Sequence, residues 1–237
     1  MGQDHRVVWI SLAVSLAGVT LAAGLLMRPG AQSPTEMRGL VWAVFSSLCI
    51  LGGSATLFPH RCSPSISLTD NLEPTRYTKF QGVRLVHGHH PTCGSFEDHE
   101  FKLQGKTLCS GCTGLLIGSI CSFTIATFHF VYNYRLPAFA GYLGLGFVIL
   151  GLLYIPLLKR TVTPLRLAFN AFFVIGFGLL LSAVDGLGDP VIDAVVIGLC
   201  VYWMFTRILL SRWSHDEVCS GCDDPCERRD IADSPAD

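Results

Sequence analysis

The chain has 237 residues, half of them apolar and only 15% charged, with a mean hydropathy of +0.47. Soluble domains carry about 25% charged residues, so this composition points away from a soluble enzyme and toward the membrane. The net charge of −1 makes no case for a nucleic-acid partner, because the charges are segregated by position.

Six apolar runs follow one another: Val7–Met27, Leu40–Phe58, Thr113–Tyr132, Ala138–Leu158, Leu167–Val184 and Val191–Leu210. Each is close to the roughly 20 residues a helix needs to cross the hydrocarbon, and none has a charge near its middle. Turn chemistry separates them, as at Arg135-Leu-Pro137 and Asp185-Gly-Leu-Gly-Asp-Pro190. Helices of a soluble all-α domain would show polar faces at helical spacing, and these runs do not. The expected fold is an all-α polytopic membrane bundle. Residues 1–58 hold helices one and two, 59–112 a Cys/His-rich loop, 113–210 helices three to six, and 211–237 a Cys-rich tail. The first run exceeds the h-region of a signal peptide and lacks a clear cleavage site, so it reads as a retained helix.

Six spans place both termini and the long loop on one side. That side holds Arg6, Arg61, Arg76, Lys79, Arg84, Lys102, Lys106, Lys159, Arg160, Arg166, Arg207, Arg212, Arg228 and Arg229, against Arg28, Arg38 and Arg135 on the other. Fourteen cations against three make it the cytoplasmic side of a cell membrane. Of ten Cys, Cys49, Cys121 and Cys200 lie inside helices as small buried residues. The remaining seven fall on the reducing side, where a Cys cluster reads as metal ligation or redox chemistry.

The first part of the loop reads as irregular, and Phe80–His87 as one short strand. Cys109-Ser-Gly-Cys112 then has the C-x2-C spacing that supplies two corners of a tetrahedral zinc site. His89 and Cys93, four residues apart, complete a Cys3His set, with His87, His90 and His99 as substitutes. Thiolate and imidazole ligands suit Zn2+, with iron as an alternative. The same Cys pair sits at the start of helix three, where a thiol becomes reactive, so thiol–disulfide chemistry is the competing reading. In the tail, His215-x3-Cys219-x2-Cys222-x3-Cys226 repeats the theme, as a second Cys3His site or as part of one shared with the loop.

The block His89…Ser95-Phe96…Gly105…Cys109-Ser-Gly-Cys112-Thr-Gly114-Leu-Leu-Ile-Gly118 resembles the signature of the domain-of-unknown-function 2085 family, and Asp185-Gly186 resembles its later Asp-Gly. That resemblance implies a small multi-helix membrane protein with a Cys-His…Cys-x2-Cys set, matched here at His89, Cys109 and Cys112. Gly88 stands where the family has its first Cys, and Cys93 takes that place only from a shifted position. The family carries no established activity.

Gly114-x3-Gly118 favours close helix packing. His129 falls in an aromatic belt. Asp185, Asp189 and Asp193 surround the outer turn, as caps or as a cation site. The lack of an ionisable group deep in the membrane weighs against a transporter. No Walker loop, HExxH or Ser-His-Asp set is present, so the leaning is against an enzyme. The expected partners are the bilayer and a metal ion, with a homo-oligomer or a membrane-protein partner left open.

Overall fold

A computed structural model describes residues 5–28, 37–58, 74–80, 83–87, 96–137, 139–158 and 161–220. Six helices organise them: α1 (His5–Leu26), α2 (Arg38–Leu57), α3 (Ser110–Phe130), α4 (Phe139–Leu157), α5 (Thr163–Asp185) and α6 (Pro190–Ser220). All six are long and apolar enough to cross a membrane, which fits a multi-pass membrane protein built as a helical bundle. Among the described residues between α2 and α3 lie four short strands, β1 (Tyr77–Phe80), β2 (Val83–Val86), β3 (Glu100–Leu103) and β4 (Lys106–Cys109).

The strands correct the expectation of an irregular loop with a single strand at Phe80–His87. β1 pairs with β2 and β3 with β4, both antiparallel. The second hairpin turns at Gln104 and Gly105, with φ of 49° and 74°, and its register joins Leu103 to Lys106. Positive φ at both central residues is the two-residue turn whose twist matches the flanking strands, and glycine adopts it without strain.

Two helix bounds also differ from the apolar runs. α3 begins at Ser110 and takes Cys112 into its first turn. α6 runs to Ser220, ten residues past the apolar limit at Leu210. No Pro or Gly interrupts that extension, so backbone hydrogen bonding continues where hydrophobicity stops. Trp213 anchors it: the indole donates to His5 Nδ1 at 3.1 Å and meets the Trp9 ring edge-on at 6.0 Å. At 31 residues, α6 is about 46 Å long, more than the roughly 30 Å hydrocarbon.

α5 is the most buried helix and packs against both α3 and α4. Small residues make the seams. A Cβ at Gly114 would meet the Leu167 carbonyl at 2.3 Å, and one at Gly118 the Ala171 carbonyl at 2.6 Å, so the Gly114-x3-Gly118 pattern brings α3 onto the α5 backbone as expected. Gly144 of α4 faces Gly176 of α5 equally closely. Ser122 ties the α3–α5 seam, donating to the Val174 carbonyl at 2.7 Å and accepting the Gly178 N–H at 3.0 Å. α1 docks on α6 through Ser15 Oγ to Thr206 Oγ1 at 2.8 Å and Trp203 Nε1 to the Ser15 carbonyl at 3.0 Å. Trp203, Phe173, Leu180 and Leu181 fill the core. Ile10, Leu40, Ile50, Ile120 and Phe139 point outward, as a lipid-facing surface does.

The bundle therefore has two ends. The hairpins gather with the starts of α1, α3 and α5 and the end of α6 at the loop end. The turns α3–α4 and α5–α6 form the turn end, with the start of α2.

Candidate functional site

β4 runs directly into α3, and Cys109 is both the last strand residue and the helix N-cap. Its extended backbone (φ −76°, ψ 121°) turns the sulfur over the first helical turn, where Sγ accepts the Cys112 N–H at 3.5 Å. Thr113 Oγ1 donates to the Cys109 carbonyl at 2.8 Å, and Ser110 Oγ to the His99 carbonyl at 3.0 Å. Cys109 is buried and Cys112 half-buried.

The hairpins hold this corner rigidly. Arg76, itself buried, donates through both terminal nitrogens to the two Glu100 oxygens, joining the start of the first hairpin to the second. The Cys109 N–H donates to the His87 carbonyl at 2.6 Å, and the His87 N–H to the Arg76 carbonyl at 3.0 Å. The His87 ring is engaged at both nitrogens: Nδ1 lies 2.9 Å from the Thr107 carbonyl and Nε2 3.2 Å from Thr78 Oγ1. The carbonyl can only accept, so Nδ1 donates and Nε2 accepts the Thr78 hydroxyl. That structural role argues against His87 as a substitute metal ligand.

Loop and tail meet here. His215, on the extension of α6, lies 5.6 Å from His99 and 5.4 Å from Phe96, ring centre to ring centre. His99 is buried, and its Nδ1 lies 3.2 Å from Arg166 on α5. Cys219 follows His215 by one helical turn on α6. Of the eight residues expected to ligate metal, Cys109, Cys112 and His215 have described side chains, Cys219 a described backbone, and His89, Cys93, Cys222 and Cys226 lie outside the described residues, as does His90. Among the described residues no three His, Cys, Asp or Glu side chains are close enough to share a metal ion.

Directly beneath the Cys pair is a polar network that the sequence did not bring together. Arg207 of α6 is 6% exposed and donates to Tyr154 Oη of α4 and to Asn170 Oδ1 of α5, both at 2.5 Å. Asn170 Nδ2 donates to Tyr154 Oη at 2.8 Å and to the Arg166 carbonyl at 2.7 Å. Asn170 also touches α3, since a Cβ at Gly114 would meet its Cβ at 2.8 Å.

At the turn end, Arg38, Asp185 and His129 form a second cluster. Arg38 Nε reaches Asp185 Oδ2 at 3.0 Å and Oδ1 at 3.2 Å, and His129 Nε2 lies 2.8 Å from Oδ2. Arg38 also donates to Asn133 Oδ1 at 2.7 Å and to the His129 carbonyl at 3.2 Å. His129 is thus buried and polar-bonded, with Nδ1 3.1 Å from the Tyr134 carbonyl, and is not part of a lipid-facing aromatic belt. Asp185 is consumed by this cluster. Asp189 caps α6 by accepting the Val191 N–H at 2.9 Å. Asp193 is fully buried, and neither carboxylate oxygen has a partner among the described residues.

Asp193, in the first turn of α6, and Arg207, toward its other end, are ionisable groups buried inside the bundle. Both lie on one buried stripe of α6, with Val196, Cys200, Trp203 and Leu210. Their spacing at helical intervals along an otherwise apolar buried face was the available signal. Comparison with known protein families, with curated proteins and with solved structures found no significant match for this chain.

Proposed function

We propose that the chain is a cell-membrane protein that binds zinc at its loop end and uses the metal as a structural or sensing element. Both termini and the loop lie in the cytoplasm in this reading, which the excess of Lys and Arg at that end supports. Cys109 and Cys112 supply two thiolates, with His89 and Cys93 completing the set. His215, Cys219, Cys222 and Cys226 form a second set or share the first.

The observation that carries the reading is the Cys109 corner. A thiolate pair at a strand-to-helix junction, with a backbone N–H aimed at the first sulfur at 3.5 Å, is pre-shaped for two corners of a tetrahedral zinc site. In sequence, His89 follows by two residues His87, whose carbonyl is bonded to Cys109, and Cys93 precedes by three residues Phe96, whose ring lies against His215. Bound zinc would cross-link the hairpins to α3 and add its binding energy to folding.

Thiol–disulfide exchange is the second reading. Cys112 is half-buried in the first turn of α3, and a helix N-terminus is where reactive thiols are commonly found.

Elemental mass spectrometry of the purified chain separates the two. The expected result is near-stoichiometric zinc, lost in Cys109→Ser/Cys112→Ser, with Cys219→Ser/Cys222→Ser showing whether the tail site is separate. Metal-free protein with reactive Cys109 and Cys112 thiols would replace zinc binding with redox chemistry, and iron would move the reading to electron transfer.

A further inference from the structure

The network around Arg207 has more hydrogen-bond donors than acceptors. Arg207 donates to Tyr154 Oη and Asn170 Oδ1, both neutral, and forms no ion pair among the described residues. Its Nε is buried without a partner, and so is Arg166 Nε. Tyr154 Oη already accepts from Arg207 and Asn170, so its lone pairs are engaged and its own proton is left to donate. Asn170 is likewise used on both sides: Oδ1 accepts from Arg207, and Nδ2 donates to Tyr154 and to the Arg166 carbonyl. Three donors of this network, two of them guanidinium N–H groups, thus have no acceptor among the described residues.

Charge shows the same imbalance. Arg166 is partly buried and lies within electrostatic reach of Arg207; Asp98, the carboxylate within reach of it, is exposed. Among the described residues, neither guanidinium is bonded to an acid. Arg207 lies six residues inward of Trp213 along α6, about 9 Å. A buried cation without a counter-ion costs several kcal/mol, and such groups inside membrane bundles face binding sites or pathways. Arginine's planar fork suits phosphate-type oxyanions in particular.

We propose that Arg207 and Arg166, with Tyr154 between them, form an oxyanion site at the loop end of the bundle that takes a phosphate group. The phosphate comes either from an anionic lipid headgroup entering between the helices or from a free anion entering past the hairpins. This site does not depend on metal binding, since none of its donors is a zinc ligand.

The test uses the full chain in nanodiscs. In one arm, inorganic phosphate is titrated by calorimetry into protein in phosphatidylcholine alone. In the other, native mass spectrometry counts phosphatidylglycerol retained from mixed phosphatidylcholine–phosphatidylglycerol discs. The expected result is saturable one-site binding in one arm, which identifies the source. Arg207→Gln and Arg166→Gln should each weaken it about thirtyfold, while Arg212→Gln, at an exposed position of α6, leaves it unchanged. Wild-type protein that binds neither probe overturns the site, as do Arg207→Gln and Arg166→Gln variants that bind like wild type. Should Arg207→Gln fail to fold, Arg166→Gln and the wild-type titrations decide alone.

Discussion

At the turn end, the Arg38 guanidinium and the His129 imidazole each lie within 3.2 Å of the Asp185 carboxylate and join α2, α3 and α5. At the loop end, the Arg207 and Arg166 guanidinium groups meet a phenol, an amide and an imidazole among the described residues. Both ends place arginine between helices, yet among the described residues only the turn end pairs it with an acid. The turn-end cluster has the form of a structural clamp, complete within the protein. The loop-end network is open, and an incomplete set of partners is what a binding site leaves for its ligand.

Removing the acid of the clamp should have the largest effect. Asp185→Asn strands Arg38 and His129 in a buried setting, and breaking such a group by deleting one partner costs about 3 kcal/mol. Denaturant titration of the whole bundle reads this loss. Arg207→Met is the matching change at the other end, and it strands no opposite charge, so its cost should be about 1 kcal/mol. Equal losses in the two variants would mean that Arg207 has an acid partner, and the contrast between the ends would fail.

The next effect separates the hairpins from the bundle. Arg76 and Glu100 are nearly buried, with side chains 10% and 13% exposed, and they join the two hairpins outside the helices. Arg76→Ala should cost about 2 kcal/mol, but locally. Hydrogen exchange should quicken across Tyr77–Phe80 and Glu100–Cys109 and stay unchanged in α4 and α5. Zinc content of the same variant should fall with the loosening of Cys109. If exchange quickened throughout the bundle instead, the loop would be part of the core and not a module set on it.

How far the sequence foretold these arrangements depends on the range of the interactions. The helices were legible because the hydrocarbon demands about 20 apolar residues in a row. Their ends were not, since apolarity stops at Leu210 while the α6 backbone continues to Ser220, held by Trp213 against His5 and Trp9. Four-residue strands in a polar loop leave almost no periodic trace. The Gln104-Gly105 turn was the one local sign of a hairpin, and glutamine is not a usual first residue there. Gly114 and Gly118 declared a packing face, but nothing local names Leu167 and Ala171 as what they meet. The Cys109-Ser-Gly-Cys112 spacing was readable as ligand chemistry. The approach of His215 to His99, 116 residues earlier in the chain, was not, because it needs the folded length of α6. Arg207 was counted among the cations of the cytoplasmic side. Its inward position follows only from the stripe it shares with Trp203 and Leu210.

The smallest expected effect is also the one of opposite sign. Asp193 is fully buried, its oxygens meet no donor among the described residues, and Asp185 and Asp189 repel its charge while Arg38 attracts it. Asp193→Asn keeps the shape, removes a buried charge, and should stabilise the bundle by about 1 kcal/mol. A loss of stability would instead show that a cation or a donor completes the carboxylate, and the turn end would then hold a ligand site of its own beside the clamp. The double variant Asp193→Asn/Arg207→Gln carries the comparison across the bundle. The two positions are fourteen residues apart on one buried stripe of α6, about 21 Å, so independent ends predict additive changes to within about 0.5 kcal/mol. A larger departure would mean that charge at one end of α6 is felt at the other. The stripe through Val196, Cys200 and Trp203 would then be the route that couples them.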